Sequence, residues 1–97
     1  MGAEVKGRRV YPDAAGQLPK LEPGDYGRYG SGEWYCCAPV DTGDWFTNFH
    51  GSLGSGTSHH QVAEHEDGTI TVSPSILIKR HNGEWHGFLE RGVWRSC

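Results

Sequence analysis

HHQVAEHEDGTITVSPSILIKRHNGEWHGFLERGVWRSC, residues 59–97, is the stretch that decides the fold. It consists of short runs rich in β-branched and aromatic residues, separated by the dipeptides Asp67-Gly68, Asn82-Gly83 and Arg91-Gly92. Asp-Gly and Asn-Gly between such runs favour tight hairpins, because a type I′ turn needs positive φ at both central residues. The stretch therefore predicts an antiparallel β-meander.

Two-residue loops at these dipeptides would fix which residues stand opposite each other and share a side of the sheet. They predict three cross-strand pairs: Ala63 with Val72, Ile76 with Leu89, and Leu89 with Trp94. One side of the sheet is then apolar, and it is the predicted core. Its members are Ile70, Val72, Ile76, Ile78, Trp85, Leu89 and Trp94. Pro74 has no N–H to donate, so its strand is expected to be an edge strand or to bulge there.

The opposite side of the same strands mixes apolar, aromatic and basic side chains, with His86 expected across from Cys97. Aromatic and arginine side chains together favour contacts with proteins. The predicted binding residues are Leu77, Lys79, His86, Phe88 and Arg95. The alternative is that the aromatic residues all pack against the N-terminal segment.

The N-terminal third differs from the rest in composition. Residues 1–32 mix Pro, Gly, Asp and Tyr without a helical period, which predicts an extended arm that wraps onto the body. Residues 33–97 are predicted to form the β domain, with EWYCC (33–37) as its first strong strand and GSLGSGTS (51–58) as a surface loop. The predicted fold is all-β: a single small antiparallel meander sheet or a partly open barrel, with a Pro/Gly-rich arm.

Length and charge exclude several classes of protein. Ninety-seven residues make one domain, and a net charge of -3 provides no field for binding nucleic acid. No apolar run approaches the roughly 20 residues that span a bilayer, and the start MGAEVKGRRV lacks the apolar core of a secretory signal. We expect a soluble, cytosolic protein that binds neither membrane nor nucleic acid; oligomerisation stays open.

The cysteines argue against a secreted disulfide scaffold, because their number is odd and two are adjacent. Free thiols, one long-range pair or metal ligands remain as alternatives. A zinc site would use Cys36 or Cys37, His86 and Cys97, with His81 or His59 as a fourth ligand. However, no C-x-x-C pair occurs, and alternation along a strand directs Cys36 and Cys37 to opposite sides. The alternative is that the cysteines are small buried apolar residues. We expect no cofactor, with zinc as the alternative.

Catalytic patterns are weak. His59, His60 and His65 lie near Glu64, Glu66 and Asp67, as a general base and its orienting carboxylate would require, but an acidic cluster beside a hairpin is usually a solvated edge. His86 could activate Cys97, although a chain terminus frays. GSLGSG and GRYGSG lack the strand–helix context of a phosphate loop. No catalytic residue is predicted.

Two motifs carry a resemblance. At DGTITVSPSI (67–76) and WHGFLERGVW (85–94) the chain resembles uncharacterised small proteins of actinobacteriophages, and the similarity extends to EPGDY (22–26), the strand around Trp34 and HQVAEHE (60–66). More distantly it resembles a domain of unknown function with Cys-x-Cys and Cys-x-x-His elements that suggest a metal. Here the cysteines are adjacent instead, and none shortly precedes His86. The resemblance implies a phage origin and a bacterial host cytoplasm.

Three functions follow as hypotheses. The first is a non-enzymatic phage accessory protein that binds a host or phage protein through the aromatic and arginine-bearing surface. The second is a virion component, such as a head or tail decoration, whose arm contacts neighbouring subunits. The third is a small nucleotide-binding or hydrolytic protein that acts against host defence, using His65, His86 and nearby arginines.

Overall fold

The computed structural model describes residues 4–40, 49–55, 60–80 and 83–97. These residues form nine strands and no helix. The strands are β1 (Glu4–Lys6), β2 (Arg8–Val10), β3 (Asp25–Arg28), β4 (Trp34–Cys37), β5 (His50–Gly54), β6 (Gln61–Glu64), β7 (Ile70–Arg80), β8 (Gly83–Glu90) and β9 (Val93–Ser96). The prediction of an all-β fold is confirmed.

The strands are distributed over two sheets. The first has the order β1-β9-β8-β7-β6, and the second has the order β2-β3-β4-β5. All pairings are antiparallel except that of β2 with β3, which is parallel. The predicted meander supplies four of the five strands of the first sheet. The second sheet, built from residues 8–54, was not predicted.

The core lies between the two sheets. All seven residues predicted for the apolar side of the meander are buried, from 0% exposed for Ile70, Leu89 and Trp94 to 8% for Trp85. The second sheet covers them with Tyr26, Trp34, Cys36, Phe49 and Leu53. Trp85 and Trp94 pack edge to face with ring centroids 5.3 Å apart, an arrangement that aromatic pairs favour. Five aromatic residues and six leucine, isoleucine and valine residues therefore make up most of this core.

The turn at Arg91-Gly92 follows the prediction. Both residues have positive φ, 47° and 78°, as a tight hairpin turn between twisted strands requires. Leu89 stands opposite Trp94, and the backbone N–H of Cys97 donates to the carbonyl of His86 at 3.0 Å. The predicted register of β8 and β9 is confirmed.

The turn at Asp67-Gly68 is one residue longer than predicted. Val62, not Ala63, stands opposite Val72. The Asp67 carboxylate accepts hydrogen bonds from the backbone N–H and the hydroxyl of Thr69, at 3.0 and 2.6 Å, and Gly68 follows with a φ of 88°. This is the three-residue loop in which a turn ends in a left-handed glycine. As a result Val62 packs against the core.

The pairing of β7 with β8 is displaced by two residues from the prediction. Ile76 stands opposite Gly87 rather than Leu89, and the turn dipeptide's Asn82 lies outside the described residues. Because side chains alternate with period two, a displacement of two keeps each residue on its predicted side. The predicted irregularity at Pro74 is confirmed, since the register shifts between Val72 and Ile76.

The N-terminal segment joins both sheets. β1 pairs with β9, whereas β2 pairs with β3, so the chain changes sheet at Gly7. A Cβ at Gly7 would lie 2.7 Å from Nε1 of Trp94 and 2.8 Å from the carbonyl oxygen of Gly24. Glycine is thus needed here for close approach. Part of the predicted arm, residues 4–28, contributes three strands within the same chain.

Two arginines fasten β2 to its surroundings. Arg8 makes two hydrogen bonds to the carboxylate of Asp25, at 3.0 and 2.7 Å, and this pairing raises the pKa of Arg8. Arg9 reaches from the second sheet to the other side, where Nη1 donates to Glu64 and to the carbonyl of Gly68. Its guanidinium also lies over the ring of Trp34, 5.0 Å from the centroid. These contacts hold the β6–β7 turn against β2.

GSLGSGTS does not form the predicted surface loop along its whole length. Its first residues belong to β5, which pairs with β4, and Leu53 is 1% exposed. Small residues let this strand approach the first sheet, since a Cβ at Gly51 would lie 3.1 Å from Cδ1 of Ile78. For residues 51–54 the prediction was wrong, because tertiary packing overrides the weak strand propensity of Gly and Ser. Residues 56–58 of the predicted loop lie outside the described residues.

Candidate functional site

Strands β7, β8 and β9 present their side away from the core to solvent. We call this surface the outer face and define it by the five predicted binding residues: Leu77, Lys79, His86, Phe88 and Arg95. Leu77 stands directly opposite His86, and Phe88 stands directly opposite Arg95. Directly opposed residues share a side of the sheet, so the structure brings these side chains together on one surface.

The outer face exposes two large apolar side chains. Leu77 is 50% exposed and Phe88 is 37% exposed. The other large apolar side chains exposed among the described residues are Val5 and Tyr11, and neither belongs to this face. Val5 is opposite Trp94 and therefore lies on the core side of the first sheet, at its edge. Leu77 and Phe88 are thus the apolar part of this surface.

The charges of the outer face are balanced locally. Nε of Arg95 lies 3.1 Å from Oε2 of Glu4, and Nη1 of Arg95 lies 2.6 Å from Oε1 of Glu90. Lys79 stands opposite Glu84 across the β7–β8 pair. Exposed ion pairs contribute little to stability, but they fix the arginine beside Phe88 and remove most of its long-range field. The outer face and its rim therefore combine apolar, basic and acidic side chains and do not form a basic patch.

His86 lies at the centre of the row. Its Nε2 is 3.2 Å from the hydroxyl oxygen of Ser75, and its backbone carbonyl accepts from Cys97. The contact with Ser75 orients the ring toward the irregular part of β7. On the outer face the imidazole is exposed, where it can donate or accept a hydrogen bond to a bound molecule.

The predicted zinc ligands are distributed over three separate places in the fold. Cys36 and Cys37 are buried on opposite sides of β4, as alternation predicted, while His86 and Cys97 lie on the exposed side of the first sheet. Within the described residues, no three His, Cys, Asp or Glu side chains form a group that could hold a metal. His59 and His81, the fourth-ligand alternatives, lie outside those residues.

Burial makes two of the three thiols unreactive. It raises the pKa of Cys36 to about 12 and that of Cys37 to about 11. The thiolate is the form that attacks electrophiles and binds metals, so both groups are chemically silent near neutral pH. They behave as the small buried apolar residues of the alternative prediction. Cys97 is exposed.

The histidine and carboxylate cluster near the β6–β7 turn is used in building the turn. The ring Nε2 of His65 lies 2.7 Å from the hydroxyl of Thr71. Glu64 pairs with Arg9, and hydrogen bonds from Thr69 lower the pKa of Asp67. A general base with an orienting carboxylate is therefore not the arrangement that these three groups adopt.

A recess that was not predicted from the sequence lies between β5 and the second half of β7. Tyr35, Leu53, Ile78, His50, His60 and Arg80 are among its lining residues. Because GSLGSGTS was predicted to be a surface loop, neither β5 nor the wall that it forms in this recess was predicted. Leu53 is the one large apolar residue among residues 51–54, so no period-two pattern marked this strand.

Comparison with known proteins adds no relative. No family model, no curated protein and no solved structure matches the chain. No helix in the described ranges has the length and apolar character needed to cross a bilayer. Arguments about function therefore depend on the surfaces described above.

Proposed function

We propose that this protein is a non-enzymatic bacteriophage accessory protein that binds a host or phage protein through the outer face. The observation that carries the proposal is the exposure of Leu77 and Phe88 on one sheet surface, beside Lys79, His86 and Arg95. Interfaces between proteins combine such an apolar centre with a polar rim that contains arginine and aromatic side chains.

Burial of the apolar pair would contribute modestly to binding. Full burial of a leucine or phenylalanine side chain stabilises by about 1.5–3 kcal/mol, and Leu77 and Phe88 are already half or more buried. Each therefore offers about 1 kcal/mol. A stable complex needs further contacts across the neighbouring strands, which an open sheet surface provides.

The electrostatics favour a protein over a nucleic acid. Phosphate binding requires lysine and arginine side chains whose charge is free to replace counterions. Arg95 is held between Glu4 and Glu90, Lys79 faces Glu84, and the net charge of the chain is -3. The same ion pairs present both donors and acceptors, which a protein surface of matching polarity can use.

Phage origin and action in the host cytoplasm rest on the resemblance of DGTITVSPSI and WHGFLERGVW to actinobacteriophage proteins. The second motif contains three core residues, Trp85, Leu89 and Trp94, and also Phe88 of the outer face. The motifs therefore cover both the packing of β8 and β9 and the surface proposed to bind.

Affinity purification from infected host cells tests the proposal. The tagged wild-type protein, Phe88→Ala and Val5→Ala serve as baits; Val5 is a matched control because it is exposed to 39% on the other side of the same sheet. We expect a stoichiometric partner with wild type and Val5→Ala that is reduced at least fivefold with Phe88→Ala. Equal recovery with all three baits would refute a role for the outer face.

A further inference from the structure

The recess between β5 and β7 is bounded by two strand edges. Among the described residues, β6 pairs with β7 from Ile70 to Ser73, and residues 76–80 of β7 pair with β8 alone. β5 ends the second sheet and pairs with β4 alone. Within the described ranges, neither edge has a strand partner on the side that faces the recess. Such edges offer backbone donors and acceptors to an added strand.

The recess has the size and floor of a binding cleft. Its volume is about 410 Å³, within the ~300–1,000 Å³ typical of ligand sites. Its floor consists of the half-buried Tyr35 and of the core residues Leu53 and Ile78, which lie beneath the surface. Gly51 lies against the Ile78 side chain, which would touch a Cβ at 3.1 Å, so the two walls are fixed close together at the base. The cleft is thus preformed.

On both walls of the cleft, a backbone carbonyl is already hydrogen-bonded to a side chain. A guanidinium nitrogen of Arg80 donates to the carbonyl of His50 on β5. The ring Nε2 of His60 lies 2.9 Å from the carbonyl of Ser75 on β7. The other ring nitrogen of His60, Nδ1, is buried and has no hydrogen-bond partner. These contacts are made by rotatable side chains, which an incoming backbone could replace or join.

The charge of the lining has one sign. Lys79, Arg80, His50 and His60 line the cleft, and none of its described lining residues is acidic. In a chain whose net charge is -3, the cleft thus places two cationic side chains, Lys79 and Arg80, together without an acidic neighbour among its described lining residues. It is complementary to carboxylates.

We propose that this cleft binds an extended acidic peptide segment of a partner protein, which adds as a strand to the free edge of β7 at residues 76–80. Backbone hydrogen bonds to β7 provide affinity, as in other cases of strand addition. Alternate side chains of the segment face the floor of the cleft, because strand side chains alternate, and its carboxylates meet Lys79 and Arg80. The cleft shares Leu77 and Lys79 with the outer face but does not include His86, Phe88 or Arg95, so binding there does not require Phe88.

A displayed library of random decapeptides, selected on the immobilised full chain, tests the proposal. We expect enriched sequences with at least two Asp or Glu residues and β-branched residues at alternating positions. The best sequence is then synthesised with a fluorescent label, and its Kd is measured by polarisation. A second version, N-methylated at alternate amides, cannot pair with a strand edge and should bind at least tenfold more weakly.

Arg80→Glu should weaken binding of that peptide at least tenfold. Arg91→Glu is the matched control, since it makes the same change of charge at the β8–β9 turn and should leave the Kd within twofold. If Arg80→Glu does not fold, amide chemical shifts of the wild-type chain decide: the peptide should move signals of residues 50–53 and 76–80. Shifts confined to β8 and β9 would overturn the proposal.

Three further results would also overturn it: no enriched sequence, an enriched sequence without acidic residues, or unchanged binding after N-methylation. Equal competition by an oligothymidine of ten nucleotides would assign the cleft to single-stranded nucleic acid instead. Because the selection uses purified chain, none of these results bears on recovery of a partner through Phe88.

Discussion

The indole N–H of Trp94 donates to the carbonyl oxygen of Gly24 across 2.9 Å. This buried bond joins β9 of the first sheet to the residue that precedes β3 of the second, 70 positions away in sequence. The same carbonyl also accepts from the backbone N–H of Arg8. The Gly24 carbonyl therefore connects the N-terminal segment, the second sheet and the C-terminal hairpin.

Trp94→Phe should lower the free energy of unfolding by about 2 kcal/mol, because it removes a buried hydrogen bond and leaves a small cavity. Gly24 keeps its bond from Arg8, which limits the loss. Urea unfolding followed by circular dichroism measures the change. Trp85→Phe is the control, since it shortens the neighbouring buried ring without removing that bond. Equal losses for both variants would contradict the importance of the Gly24 contact.

Gly7→Ala should destabilise the fold by about 1–3 kcal/mol, the usual cost of inserting a methyl group where there is no space. Two of the atoms that the methyl group would meet, in Gly24 and Gly92, are backbone atoms and cannot rotate away. Thermal unfolding detects the change as a lower Tm. Lys6→Ala, at an exposed position one residue earlier, should leave the Tm within a degree or two. An unchanged Tm for Gly7→Ala would show that the chain does not pack closely against Gly24 and Gly92 where it changes sheet at Gly7.

Asp67 should make stability depend on acid pH. Hydrogen bonds from Thr69 lower its pKa below the ordinary value of 3.8. A carboxyl whose pKa is depressed by folding stabilises the protein above its unfolded pKa, and this contribution is lost as the pH falls through the folded value. Urea unfolding of wild type and Asp67→Ala should therefore show a stability difference at pH 7 that shrinks below pH 4. A difference that stays constant to pH 2 would contradict the role of the ionised carboxylate.

The thiols should differ sharply in reactivity. The pKa values of Cys36 and Cys37, about 12 and about 11, keep both protonated, and both are buried. At pH 8 the folded chain should react with one equivalent of a chromogenic disulfide reagent, at Cys97, and with three equivalents in denaturant. Cys97→Ser should abolish the fast reaction. Rapid labelling of that variant would mean that β4 is not buried between its neighbours.

Much of the first sheet could be predicted from sequence because hairpin turns act locally. The glycine dipeptides and the period-two alternation placed Ile70, Trp85 and Trp94 in the core although two registers were displaced. The displacement at Asp67 arose from its side chain, which bonds Thr69 and lengthens the loop. The second sheet was not predictable in this way, because short strands that contain Gly and Ser are stabilised by packing and not by propensity.

The candidate site was likewise predictable in one part and not in another. Alternation alone indicated that Leu77, His86 and Phe88 share a face, since each follows from pairing between neighbouring strands. The ion pair between Glu4 and Arg95 joins residues 91 positions apart, and it arises from the pairing of β1 with β9. No local pattern contains that information. The cleft beside β7 was missed for the same reason.

The most direct test of the central claim is photocrosslinking in infected cells, with p-benzoylphenylalanine in place of Phe88 or, separately, in place of Val5. The probe reacts only with groups within a few ångströms, so it reports contact with the outer face without removing it. We predict a single strong crosslinked protein from position 88 that is absent from position 5. No crosslink at position 88, or the same products from both positions, would contradict binding through the outer face.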